Sequence, residues 1–472
     1  MSLKRLPGLE VASCSVKELL QATAIPIRDT RIYGQLQIPE YQRPYVWGKK
    51  QMLRLLKDLK EHAQLVKPNM PDYYLGSLIL HQKGDKLNII DGQQRITSLL
   101  ILQQFADNPV SDGIAYESPV SILNIQQNIS MLRKLIDAAQ ISVKGFDLEK
   151  INVTLVVTTS EDLAYTFFET QNTGGKRLSG ADIIKSHHLR SIRPATLMNS
   201  SATRWESHDI GLVSHMISML AKARFWNFLE RREFPSYRDA VQIKEKVVEE
   251  FTENTLHNET DKSFLTVEIT KNLHGEQMRY LSNLAAVRQP LYDGRNFMNY
   301  LQGYLKLYQE LFSGMENHRI DARFTHFSKI IINGENGTAF LQDLFRLVIV
   351  VFVSRFGYQD LFPFSLWCFR YIYAMRVSNE RTVREDGVYR FARESKILDR
   401  ILHAFSADEL IEFLENQTYQ FNEANCGPNN VKGRYILMLG QYFDQFDKHT
   451  IKTTDFDSTL IKAIKWQTKI NS

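Results

Sequence analysis

The run Ile90-Asp91-Gly92-Gln93-Gln94-Arg95 constrains this chain most, because it makes a strand become a helix across one glycine turn. Leu87-Asn88-Ile89-Ile90 reads as a strand, Gly92 permits a tight turn because it has no Cβ, and Ile96, Leu99, Leu100 and Leu102 open a helical pattern. A helix begun in this way presents unpaired N–H groups and the positive end of its dipole, which suits an anion. Arg95 is placed for bidentate phosphate contact, and Asp91 for a metal ion or a water. A purely structural strand–turn–helix is the alternative reading of the same residues.

The surrounding pattern predicts a small mixed sheet. Met52, Leu55, Leu56, Leu59 and Ala63 give helical spacing over Lys49 to Val66. Tyr73 to Leu80 and Leu87 to Ile90 read as a hairpin turning at Lys83-Gly84-Asp85-Lys86, and Val153 to Thr158 as a further strand. Ser15-Val16-Lys17-Glu18 and Ser179 to Asp182 have capping-box spacing. Ser191 to Ser207 suits a linker. Beyond it, Leu212–Leu229, Phe297–Phe312, Ala339–Phe356 and Ala407–Leu414 carry helical spacing, with no sustained strand alternation. The expected class is α+β: a mixed α/β domain over 1–200 and a larger all-α domain over 201–472.

A chain of 472 residues is long enough for two cores, and its 43% hydrophobic and 24% charged composition is that of an ordinary globular protein. The N-terminus has no apolar signal region, and the longest apolar run, Leu347 to Val353, is far short of the ~20 residues that span a bilayer. A cytoplasmic protein without membrane contact is expected. Cys14, Cys368 and Cys426 are too far apart for a zinc site and odd in number, so each reads as a free thiol. A net charge of +5 permits nucleic-acid binding without requiring it.

Two further stretches flank the opening motif. Upstream is Ile38-Pro39-Glu40-Tyr41-Gln42-Arg43-Pro44-Tyr45-Val46-Trp47, and downstream is Phe168-Glu169-Thr170-Gln171-Asn172-Thr173-Gly174-Gly175-Lys176, continuing through Leu178-Ser179 to Asp182-Ile183-Ile184-Lys185. With IPxYQRxYxW, DGQQR and FExxNxxGxxLSxxDIIK in that order, the chain resembles the N-terminal domain of the GmrSD-like restriction family over roughly residues 15–190. The resemblance implies a ParB/sulfiredoxin-like fold that binds and hydrolyses nucleoside triphosphates, in defence against phages with modified DNA. Members of that family often carry a C-terminal HNH nuclease, marked by a His followed by Ile and Pro. No such cluster stands here, and Val431 to Leu439 resembles the helix that precedes the nuclease in fused forms. The expectation is a chain without intrinsic nuclease activity that works with a separate HNH partner; homo-oligomerisation is compatible with it.

Triphosphate hydrolysis needs phosphate donors, usually Mg²⁺, and a group that orients water. Arg43 and Arg95 are candidate phosphate ligands, Gly92 allows close backbone approach, and Asp91 is the candidate Mg²⁺ ligand. Gln93 or Gln94 would orient water; helix-start hydrogen bonding is the alternative. Asn172, Gly174, Gly175 and Lys176 form a glycine loop with a cation, suited to phosphate contact. Glu169 would accept from an arginine or bind metal, and Asp182 reads as a capping partner. Tyr45 is a candidate to stack on the nucleobase, whereas Trp47 reads as packing. The adjacent His187 and His188 point apart on a helix and are poor ligands for one metal.

In the helical half, Phe369 to Arg393 interleaves arginines and tyrosines, with Arg376, Arg381 and Arg384 the candidate DNA contacts. A solvated, salt-bridged face is the alternative. The expected function is a nucleoside-triphosphate-hydrolysing, DNA-sensing subunit of a restriction system. A nucleotide-gated binding module with little or no hydrolysis is the competing expectation.

Overall fold

The computed structural model describes residues 8–23, 25–65, 71–106, 114–161, 163–164, 167, 179–227, 239–257, 261–271, 277–334, 339–380, 382–444, 446 and 455–469. The chain divides into two compact units, Met1–His208 and Asp209–Ser472.

The first unit is built on a five-stranded mixed sheet. Its strands are β1 (Leu9–Ser15), β2 (Gln35–Gln37), β3 (Tyr73–Lys83), β4 (Lys86–Asp91) and β5 (Ile151–Thr158), in the spatial order β1-β5-β3-β4-β2. β3 and β4 form the expected hairpin, while β3–β5 and β4–β2 pair in parallel. Ile151, Val153, Leu155 and Val157 alternate inward along β5, as a strand with one face on a core must. Burying each such side chain contributes roughly 1.5–3 kcal/mol.

Among the described residues the unit's helices are α1 (Val16–Leu20), α2 (Lys49–Leu65), α3 (Gln93–Gln103), α4 (Pro119–Asp137), α5 (Gly180–Arg190) and α6 (Ala195–Glu206). α2 packs Met52, Leu55 and Leu56 inward, with Leu59 and Trp47 partly buried against the same core. Both capping boxes form: Ser15 Oγ accepts from Glu18 N at 3.1 Å, and Ser179 Oγ from Asp182 N at 3.1 Å. The expected linker at Ser191 to Ser207 is instead largely helix. Pro194 caps α6, and the helix buries Ala202 and Trp205, so its small polar residues face outward without breaking it.

The second unit contains α7 (Ile210–Phe225), α8 (Ala240–Thr252), α9 (Arg295–Phe312), α10 (Ala322–Phe327), α11 (Ala339–Phe356) and α12 (Leu361–Ser378). It continues with α13 (Glu385–Ser395), α14 (Ile397–His403), α15 (Ala407–Glu415), α16 (Val431–Tyr442) and α17 (Phe456–Lys469). α11 and α12 are buried on nearly every side, with Phe352 and Phe364 stacked at 3.8 Å. The unit is not wholly helical. β6 (Leu265–Lys271) and β7 (Gln277–Ala285) pair antiparallel, an alternation of Leu265, Val267 and Ile269 that the helical reading overlooked. Cys14, Cys368 and Cys426 are free thiols. Among the described residues no helix is long and apolar enough to cross a membrane.

Candidate functional site

Residues 38–47 run along the first unit as a strap that turns once at 39–42 and has no strand partner among the described residues, so most of its backbone groups need side-chain partners. The sequence supplies them from three directions. Gln42 Nε2 donates to the Ile90 carbonyl at 3.0 Å, tying the strap to the end of β4. From α3, Gln94 Oε1 accepts from Val46 N at 2.9 Å and Trp47 N at 3.3 Å, while its Nε2 donates to the Pro44 carbonyl at 3.0 Å. From α4, Ser121 Oγ accepts from Tyr45 N at 2.9 Å, and Asn124 and Asn128 donate to the carbonyls of Tyr45 and Trp47 at 2.8 and 2.6 Å.

Tyr45 has no face to offer a base. It is fully buried, and its hydroxyl lies 2.9 Å from Ser98 Oγ and 3.2 Å from Asn128 Nδ2, so the stacking role expected for it is replaced by a core one. Burial raises its pKa, with the Ser98 and Asn128 bonds opposing.

The turn into α3 is built by two glycines. Gly92 takes φ +99°, and a Cβ there would stand 2.0 Å from Leu78 Cδ2. Gly76 takes φ +115° at a bulge in β3, and a Cβ there would stand 2.3 Å from Arg95 Nη1. That space admits the Arg95 guanidinium, which donates to the carbonyls of Leu75 at 3.1 Å and Ser77 at 2.7 Å and to Asp91 Oδ2 at 3.0 Å. Arg95 and Gln94 are thus held in backbone staples, in place of the phosphate and water roles expected from sequence. Asp91 keeps only its second oxygen outside the Arg95 pair.

Glu40, Arg43 and Gln93 line one narrow cleft together with Glu117, Ser118 and Glu206. Gln93 is 5% exposed, and neither it nor Arg43 makes a side-chain hydrogen bond or ion pair among the described residues. Gly92 gives α3 no side-chain cap, so its own residue does not occupy the first-turn N–H groups. Ile38, Pro39, Glu40 and Glu117 also wall a wider cleft of about 370 Å³, whose other lining includes His81, Lys83, Lys86, Arg190 and Arg193. A volume of this order suits a small ligand.

Acidic and basic groups meet along that wall. Lys185, the last residue of the downstream motif, is 2% exposed and pairs with Glu206 at 2.6 Å, while Ser118 donates to the other Glu206 oxygen. Asn199 donates to Glu117 at 3.2 Å. Glu40 is half-buried, and its carboxyl is pushed up to about 7. Burial is the main cause, followed by the charge of Glu117, a hydrogen bond shared with it and the charge of Glu206; Lys185 opposes the shift.

Asn172, Gly174, Gly175, Lys176 and Glu169 lie outside the described residues, as does Arg381. The expected arginine stripe is split between the core and the surface. Arg376 is 2% exposed, and Arg370 is 1% exposed in a bidentate pair with Asp457 at 2.6 and 2.7 Å, whereas Arg384 is exposed. Burial inside α12 removes Arg376 from the candidate DNA contacts. Sequence reasoning missed Glu40, Glu117, Glu206 and Lys185. The first and last lie inside the quoted motifs, but Glu117 and Glu206 stand in segments with no motif at all.

Residues 26–189 match the family model of the GmrSD restriction endonuclease, N-terminal domain. Residues 197–428 match a family of unknown function (DUF7834). No curated protein matches the chain. The likeness read from the three ordered motifs therefore holds over the N-terminal unit.

Proposed function

We propose that this chain is the nucleoside-triphosphate-binding and hydrolysing, DNA-sensing component of a GmrSD-like restriction system, and that its nucleotide site is the cleft between the strap and the start of α3. The observation that carries this reading is the pairing of Arg43 and Gln93. Both are motif residues, both face the same cleft, and neither has a hydrogen-bond or ion-pair partner among the described residues. A guanidinium beside an uncapped helix start suits phosphate oxygens. Gln93 can orient a water without taking its proton.

Glu40 and Glu117 would oppose a bare triphosphate. Oxygen donors of this kind beside a neutral amide fit Mg²⁺, and would hold it with Gln93 alongside. The ion would supply charge neutralisation at the phosphates. Arg43 binds and orients the phosphates, while Lys83 and Lys86 extend the positive lining of the wider cleft. Phosphate release from a triphosphate with Mg²⁺ tests the reading: Arg43→Ala should slow it on the order of a hundredfold, and an unchanged rate would reject this site.

One observation favours the competing reading, a nucleotide-gated module with little turnover. Gln94 and Arg95 are both occupied by backbone groups, which leaves fewer side chains for chemistry. Tight triphosphate binding without turnover above background would select the module. Modified phage DNA as the trigger, a separate HNH nuclease and a cytoplasmic setting belong to the same proposal, of which the N-terminal match supports the restriction setting alone.

A further inference from the structure

The helical unit contains a cavity of about 230 Å³ between α7, α11 and α13. It is smaller than the ~300–1,000 Å³ pockets that hold drug-sized ligands, so a single ring system is the natural occupant. Trp226 and Tyr389 stand in one wall with ring centroids 5.2 Å apart at 88°, giving flat apolar contact area. Around them are the partly buried side chains of Asp343, Glu385 and Lys222, none of which makes a hydrogen bond or ion pair among the described residues. His215 lines the same cavity, and its Nε2 is buried with no hydrogen-bond partner. Partly buried charges without a protein partner leave their hydrogen-bonding groups available to a ligand that enters the cavity.

We infer that this cavity is a binding site for a planar nitrogen heterocycle of the guanine type, held by its ring faces and its hydrogen-bonding edge. The two carboxylates accept from adjacent N–H donors, the ring N–H and the exocyclic amine, while Lys222 donates to the carbonyl oxygen beside them. An adenine-type edge has no ring N–H and presents a carboxylate with a ring acceptor instead, which is repulsive. The site is separate from the nucleotide cleft and does not depend on it, because every residue invoked lies in the second unit.

Calorimetric titration of the full chain with guanosine and adenosine tests the assignment, since neither carries a phosphate. Guanosine should bind saturably and adenosine at least about tenfold more weakly, the discrimination expected where the site's acceptors are left unpaired by the wrong edge. Asp343→Asn should weaken guanosine by about tenfold or more, while Arg43→Ala in the N-terminal cleft leaves it unchanged. Equal affinity for the two nucleosides, no saturable guanosine binding, or full affinity in a folded Asp343→Asn protein would overturn the inference. If that variant does not fold, the nucleoside comparison on the parent decides alone. Loss of hydrolysis in Arg43→Ala bears only on the other site.

Discussion

Gln94 Oε1 accepts the backbone N–H of Val46 at 2.9 Å, while the same side chain donates to Pro44 at 3.0 Å, so one α3 residue closes both sides of the strap. The DGQQR and IPxYQRxYxW motifs are therefore two halves of one mechanical joint. Arg95 makes the matching joint with β3 through Leu75 and Ser77.

Gln94→Ala should destabilise the first unit by about 1 kcal/mol, because it strands part-buried backbone groups of the strap. Urea unfolding followed by circular dichroism measures this, with a lower midpoint and an unchanged slope expected. A midpoint equal to the parent would mean that water replaces the staple.

Lys185→Ala should cost more, about 3–5 kcal/mol, since it leaves Glu206 buried without its cation. Replacing both partners with apolar residues, Lys185→Met with Glu206→Leu, should recover much of that loss. The four-member unfolding cycle measures the coupling between them. Additive losses would show that the pair is not acting as a pair.

Glu40 makes the first unit sensitive to pH in a definite direction. Its folded pKa of about 7 lies above the ordinary carboxyl value of 4.5, so the folded state holds the proton more tightly than the unfolded state does. Stability from this group is present below about pH 4.5 and is lost as pH rises to about 7. Glu40→Gln should remove that slope and raise stability at pH 8 by about 1 kcal/mol, after allowance for half-exposure. Parallel melting curves for the parent and Glu40→Gln across pH 5–8 would show no coupling of this kind.

Much of the architecture was legible in the chain because short-range rules govern it. The β3–β4 hairpin, α2 and both capping boxes follow from alternation, helical period and S-x-x-D/E spacing, and they occur where those patterns stand. The roles of motif residues were less legible. Sequence shows that Gln93 and Gln94 are adjacent on a helix, but not that a roughly 100° rotation sends one to the strap and the other to the cleft. Arg370, Arg376 and Arg384 look alike in sequence, yet helix phase buries the first two. The Glu40–Glu117–Glu206 cluster depends on long-range packing of α4 and α6 that no local pattern announces.

DNA contact in the helical unit should use exposed α13 charges in place of Arg376. Replacing Arg384, Arg390 and Arg393 should weaken binding and flatten its salt dependence by up to ~0.9 in log–log slope per lost phosphate contact. Arg376→Ala should lower the unfolding midpoint instead. If DNA changes triphosphate affinity, triphosphate must change DNA affinity by the same factor, which paired titrations measure. Unchanged slope in the triple variant would move the DNA surface away from α13.

The motifs separate into joint residues and cleft residues, a division that triphosphate hydrolysis paired with thermal melting tests for Gln93→Ala and Gln94→Ala. Gln93→Ala should lose hydrolysis on the order of a hundredfold while melting close to the parent, and Gln94→Ala should melt lower. Parent-like hydrolysis by a folded Gln93→Ala protein would show that Gln93 is not a cleft residue for the triphosphate.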